Sequence, residues 1–204
     1  MNGAMGAMGA PPTMSEFGTF VDAYYRRFAQ ILESFDKAPM ERALTIFQDV
    51  AAANGTLWVA GNGGSAAISD HTVCDVTKGT HVEDGQPIRS ISLASNVPMI
   101  TAIGNDIHYD QIFREQLVYY LQAGDAVLLV SSSGNSPNVV EACKYALSRG
   151  VPTIAFVGFQ GGELKRLADC VIHIEVDNYG IAEDTHQSLI HVLTQYIKQQ
   201  REQA

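Results

Sequence analysis

At 204 residues, with 46% apolar and 17% charged positions, the chain is long enough for one domain with a buried core and too apolar to be disordered. A formal net charge of −9, with no basic stripe, sets it against a phosphate backbone, so nucleic acid is not expected as a direct ligand. No apolar run approaches the ~20 residues of a membrane span, and Cys74, Cys143 and Cys170 form no CxxC pattern, which fits a reducing cytoplasm. Residues 1–14 read MNGAMGAMGAPPTM, with neither the basic region nor the apolar core of a signal peptide. They are expected to be a floppy extension or an expression scar, with Met14 as the natural start and one domain over 15–204.

Between 17 and 35, Phe20, Val21, Tyr24, Tyr25, Phe28, Ile31, Leu32 and Phe35 recur at helical spacing. The pattern predicts a long amphipathic helix, and its many aromatics predict a face packed on another subunit. A second helix over 39–53 runs into Asn54-Gly55. Strands are predicted over 56–60, 88–93, 125–130, 152–157 and 170–174. Helices are predicted over 65–78, 97–104, 110–121, 136–149 and 162–167, and from about 181 to 199. This alternation predicts an α/β fold: a parallel five-stranded sheet covered by helices on both faces, doubly wound and flavodoxin-like.

Two loops stand out. Gly61-Asn62-Gly63-Gly64-Ser65 follows the apolar run Leu57-Trp58-Val59-Ala60, and Ser131-Ser132-Ser133-Gly134-Asn135-Ser136 follows Ala126-Val127-Leu128-Leu129-Val130. Each reads as a buried strand breaking into a small-residue turn that opens a helix. Such turns aim backbone N–H groups and hydroxyls at one place, where the helix dipole favours an anion. The first loop fits G-x-G-x-x-[G/A], but the following strand ends Ser92-Leu93-Ala94-Ser95-Asn96 without the acidic residue of a dinucleotide site. No Gly-Lys-Ser/Thr follows either, so no nucleotide cofactor is expected. Four serine hydroxyls in the second loop need partners if buried, and a phosphate has several acceptor oxygens. The two loops together suggest a pocket for a phosphorylated small molecule.

GNGGSAA after a strand, then TAIGND over 101–106, then SSSGNSPNVV, then Gly161-Gly162-Glu163-Leu164, resembles a sugar isomerase (SIS) domain. More narrowly, it is similar to the phosphoheptose isomerases, which convert sedoheptulose 7-phosphate to a heptose 7-phosphate. The resemblance runs from about Phe17 to Ile197. It implies phosphate binding by Ser65, Ser131, Ser133 and Ser136, with Ser132 in the same loop. It implies that Asn62, Gly63 and Gly64 face the sugar and that Asp106 lies near the pocket. It further implies a catalytic base at Asp75, four residues beyond His71, and a partner histidine at His191. Glu183 stands where the family has a glutamine, and the resemblance implies that it binds substrate. A homotetramer with pockets shared between subunits is implied as well.

The residue types suit the chemistry. His71 and Asp75 are i and i+4 on one helix, and Glu183 and His191 share a face two turns apart, with Gln187 between them. Aldose–ketose interconversion moves a proton between adjacent carbons through an enediol and another between oxygens, which suits one carboxylate and one histidine. Alternatively, His71, Asp75, Glu183 and His191 form a two-histidine, two-carboxylate set for a divalent metal such as zinc, which could polarise the carbonyl. Asp75 is one methylene shorter than the family's glutamate, and Glu183 adds a charge; two close carboxylates favour an intervening cation. His186 falls on the apolar stripe with Ile190, Leu193 and Ile197 and reads as a packed structural histidine. Cys74 reads as a buried small hydrophobe, and Asp70 as a solvated charge. A non-catalytic reading also stands: SIS domains that bind a sugar phosphate, or a replication-initiator protein, without turnover. They typically lack the acid/base pair that Asp75 and His191 supply. A transcription regulator would need a basic helix-turn-helix, and the segment before the first strand is aromatic and acidic.

Overall fold

A computed structural model describes residues 15–83 and 85–203; the extension expected over 1–14 lies outside the described residues. In chain order the elements are α1 (Glu16–Ser34), α2 (Ala38–Ala52), β1 (Thr56–Gly61), α3 (Gly64–Val73), β2 (Arg89–Ser92), α4 (Val97–Asp106), α5 (Arg114–Tyr120), β3 (Ala126–Ser131), α6 (Pro137–Ser148), β4 (Thr153–Val157), α7 (Leu164–Leu167), β5 (Cys170–His173) and α8 (Tyr179–Gln203). The five strands are parallel, in the order β2-β1-β3-β4-β5. That is the doubly wound order the alternation predicts.

The apolar runs are continuous because the central strands are buried on both faces. Leu57, Val59, Leu128 and Val130 join one core with residues of α2, α3 and α8. Trp58, Ala60, Val127 and Leu129 point the other way, into a second core with α4, α5, α6 and α7. The chain leaves β1 toward one face and β3 toward the other. The crevice between the two crossovers opens at the strand carboxyl ends, where ligands bind in such sheets.

Two segments depart from the predicted pattern. The helix expected over 65–78 is α-helical only to Val73 and continues as a π-helical turn, Cys74–Gly79. The helix expected over 110–121 is divided into a 3-10 turn, Tyr109–Gln111, and α5. Ile112 and Phe113, side by side, are both buried in the second core. Cys74 is exposed rather than buried. Thr72, Val76 and Thr80 form the inward face of that segment, which leaves Cys74 on the outer side.

The helix α1 has no buried residue. Tyr24, Phe28, Ile31 and Phe35 pack on the first core, while Phe17, Phe20 and Tyr25 remain exposed. Tyr24 Oη donates to Asp184 Oδ2 at 2.6 Å, and Arg27 pairs with Asp177, tying α1 to α8 and the loop before it. The Asp184 hydrogen bond is the main reason the Tyr24 phenol is pushed up to about 12. No helix among the described residues is long and apolar enough to cross a membrane.

Candidate active site

The loops after β1 and β3 meet in a cleft of about 270 Å³. Asn62, Gly63, Gly64 and Ser65 line it from the first loop, and Ser131, Ser132, Ser133 and Ser136 from the second. The N-termini of α3 and α6 open onto it, so the end of each helix dipole favours a negative charge there. The serines are already oriented. Ser131 Oγ lies 3.3 Å from Ser136 Oγ and accepts from Gly134 N at 3.2 Å, and Ser133 Oγ accepts from Asn135 N at 3.2 Å. Ser132 Oγ is buried without a partner.

Two glycines shape the cleft, Gly134 by its backbone and Gly64 by the room it leaves the Glu183 carboxylate. Gly134 has φ +65°, and a Cβ there would lie 2.0 Å from Gly161 O. The second loop therefore interlocks with the turn before α7, where Leu164 N donates to Gly134 O and Glu163 N donates to Asn135 Oδ1. A Cβ on Gly64 would lie 2.2 Å from Glu183 Oε2. Glu183 reaches from α8 into the cleft, and Tyr179 from the same helix lines it too. Burial, then the nearby Asp184 charge, pushes the Glu183 carboxyl above the usual carboxylate range.

A second cluster lies further along α3 and α8. His71 Nε2 is 3.0 Å from His191 Nε2 and 3.1 Å from Asp75 Oδ2, and His191 Nε2 is 3.5 Å from Asp75 Oδ2. The side chains are 46%, 44% and 23% exposed for His71, His191 and Asp75. Asp75 is the second residue of the π-helical turn. Thr77 Oγ1 in that turn donates to Ile88 O and pairs with Ser90 Oγ, tying it to the sheet edge. Lys198 Nζ donates to His81 O and Arg201 to Thr80 O, so α8 holds the end of the same segment.

Of the four expected metal ligands, three converge: His71, Asp75 and His191, each with one ligand atom within 4.8 Å of the others. Glu183 does not join them. Eight residues of helix separate it from His191, about 12 Å of rise, and its carboxylate is turned onto Gly64. Gln187, one turn from His191, lies closer, with Nε2 3.3 Å from His191 Nε2. The donor set fits a small divalent cation. Tetrahedral zinc with ligands at 2.0–2.1 Å has donor–donor edges of about 3.3 Å, and the three separations are 3.0, 3.1 and 3.5 Å.

Asp106 is not brought to the serine cleft. It sits at the end of α4, accepts from Asn105 Nδ2 and lines a separate cavity with Asn96, Met99 and Tyr119. His186 is fully buried against Phe156, as its place on the apolar stripe predicts. Asn138, which pairs with Asn62 across the two loops, carried no signal beyond its place beside Ser136.

These features define a doubly wound domain with a serine-lined cleft at the sheet's switch point. A SIS domain model matches residues 20–158, and the chain belongs to that family. Within it the chain is phosphoheptose isomerase-like. It is 42% identical over 137 residues to a probable phosphoheptose isomerase of Thermoplasma acidophilum, covering 67% of this chain and 75% of that protein. It is 34% identical over 161 residues to the phosphoheptose isomerase of Citrifermentans bemidjiense, covering 79% and 83%. Among solved structures, the phosphoheptose isomerase GmhA from Neisseria gonorrhoeae superposes with a TM-score of 0.82 at 27% identity, over 90% of this chain and 99% of the other.

Proposed function

We propose that the protein is an aldose–ketose isomerase that converts sedoheptulose 7-phosphate to D-glycero-D-manno-heptose 7-phosphate. The observation that carries this is the spacing of two chemistries along one helix pair. Gly64 meets Glu183 at the cradle, and His71 meets His191 at the triad, so α3 and α8 run side by side from one to the other. From Ser65 to His71 is six residues, about 9 Å of helix rise. An extended sugar with phosphate on its last carbon spans a similar length, about seven bonds from C2 to phosphorus at ~1.2 Å each. Phosphate in the cradle therefore leaves C1 and C2 near the triad.

The roles follow from that pose. Ser65, Ser131, Ser133 and Ser136 hold the phosphate with the two helix N-termini, and Asn62, Gly63, Gly64, Ser132 and Glu183 line the path of the sugar. Asp75 takes the proton from C1 while His191 delivers one to the carbonyl oxygen on C2, giving the enediol. His191 then accepts the proton from the oxygen on C1 as Asp75 returns a proton to C2. His71, Asp75 and His191 are the residues that would hold zinc, which when bound would polarise the carbonyl and stabilise negative charge on the enediolate. We place the enzyme in the cytoplasm, where its three free thiols are at home. The exposed aromatics of α1 support a homo-oligomer, a tetramer by likeness to the family. A stable monomer in sedimentation velocity would refute that assembly.

The test is incubation with sedoheptulose 7-phosphate, followed by NMR of the sugar with added zinc and with a chelator. New aldoheptose signals are expected, and their loss under chelator would establish the cation's part. Line-broadening of the sugar without conversion would instead favour a module that binds sugar phosphates without turnover.

A further inference from the structure

The two glycine-rich loops are joined by a contact that neither the phosphate cradle nor the triad requires. Asn62 Nδ2 donates to Asn138 Oδ1 at 2.8 Å, and Asn138 Nδ2 donates back to Asn62 Oδ1 at 2.9 Å. Asn138 is the second residue of α6 and only 2% exposed. Its Oδ1 also accepts from Val139 N at 2.9 Å, which fixes which way its amide faces. On the other side of Asn62, Tyr109 Oη donates to Asn62 Oδ1 at 3.4 Å.

A side-chain amide has two donor hydrogens and two acceptor lone pairs. Asn62 Oδ1 already receives two hydrogen bonds, and one Nδ2 hydrogen goes to Asn138. What remains is one Nδ2 hydrogen, on a residue that lines the cleft. Alone on a loop, this amide would turn freely about its side-chain torsions, and ordering it would cost entropy on binding. Held from α6, it is ordered beforehand.

We propose that Asn138 is a positioning residue, which acts through Asn62 by aiming that remaining Nδ2 hydrogen at an acceptor oxygen of the bound sugar, a carbonyl or hydroxyl oxygen rather than a donor group. The assignment rests on the reading that Asn62 faces the sugar. It makes the pairing of the two loops part of substrate recognition as well as of the fold.

A double-mutant cycle tests it: the parent, Asn62→Ala, Asn138→Ala and the pair, each assayed with sedoheptulose 7-phosphate. Each single substitution is expected to lower kcat/KM by about tenfold or more. In the Asn62→Ala background, Asn138→Ala should change it by less than about twofold, because nothing is left to position. Losses that multiply would overturn the proposal, as would an Asn62→Ala enzyme as active as the parent. Should Asn138→Ala fail to fold, Asn138→Asp serves in its place. It keeps the volume and the acceptor for Val139 N, but its carboxylate cannot donate to Asn62 Oδ1. A second readout needs no turnover: the NMR signals of the Asn62 side-chain amide. They are expected to be protected from solvent exchange in the parent and to exchange faster in Asn138→Ala or Asn138→Leu, which offer Asn62 Nδ2 no acceptor; unchanged exchange in those variants would overturn the proposal. A parent inert toward the sugar would refute the function proposed above, and the amide signals would still decide whether Asn138 holds Asn62.

Discussion

The cradle and the triad occupy two stretches of the same helix pair and are built in opposite ways. The cradle is backbone and small side chains, closed by glycines where a Cβ would strike Gly161 O or the Glu183 carboxylate. The triad is three longer side chains, partly exposed: His71 near the end of α3, Asp75 on the π-turn that follows it, and His191 on α8. Even the glycine beside it is different. A Cβ on Gly79 would meet only Asp75 Cβ, at 3.8 Å. On the proposed reading, the binding end is specified by what cannot fit, and the reacting end by groups whose chemical identity matters while their surroundings can yield.

Substitutions can break that contrast. The largest effect is expected at the triad. Asp75→Ala should lower turnover by about 10³-fold and abolish zinc binding in a calorimetric titration, with the fold intact by circular dichroism. Zinc binding that survives it would remove Asp75 from the ligand set. Next comes Gly134→Ala, where a left-handed backbone and a carbonyl contact both resist a methyl group. It should destabilise the chain by more than about 2 kcal/mol in urea unfolding. A neutral result would mean that the cradle adjusts as easily as the triad.

The seam between the two ends supplies a third test. His186, fully buried on α8, is held neutral by burial, which pushes it down to about 4. In the unfolded chain the ring protonates near its ordinary 6.5. Between these values the unfolded state binds the extra proton, so the contribution is intact above pH 6.5 and is lost as pH falls toward 4. The full loss is about 3 kcal/mol. Urea unfolding of His186→Leu should show a smaller stability drop between pH 7 and pH 4 than the parent. An equal drop would place the acid sensitivity elsewhere. The smallest effect is expected for Gly79→Ala, within about 0.5 kcal/mol of the parent, since its backbone is ordinary and the added methyl has room.

Much of the fold was legible because of how it is buried. Strands covered on both faces read as unbroken apolar runs, and Leu57–Ala60 and Ala126–Val130 are such runs. The loops were legible for a related reason, since small residues right after a buried strand mark a turn where backbone groups are left free to face a cleft. The π-turn at Cys74–Gly79 was not, because one added residue per turn changes hydrogen bonding without changing composition. The metal role expected of Glu183 was misjudged because spacing along one helix gives the face and not the neighbour. Its position two turns from His191 put it on the right side of α8, yet Gly64 in another element receives it. The Asn62–Asn138 pair was hidden for the same reason, being set by a loop and a helix start 76 residues apart.

Binding and chemistry are proposed to lie at separate ends of one site. That division is tested most directly by measuring both on two variants, His191→Ala and Ser133→Ala, with sedoheptulose 7-phosphate as ligand and substrate. His191→Ala is expected to lose turnover while its Kd for the sugar phosphate stays close to that of the parent. Ser133→Ala is expected to weaken binding and to turn over what it still binds. The reverse pattern, with affinity lost at His191 and turnover lost at Ser133, would contradict the division of the site.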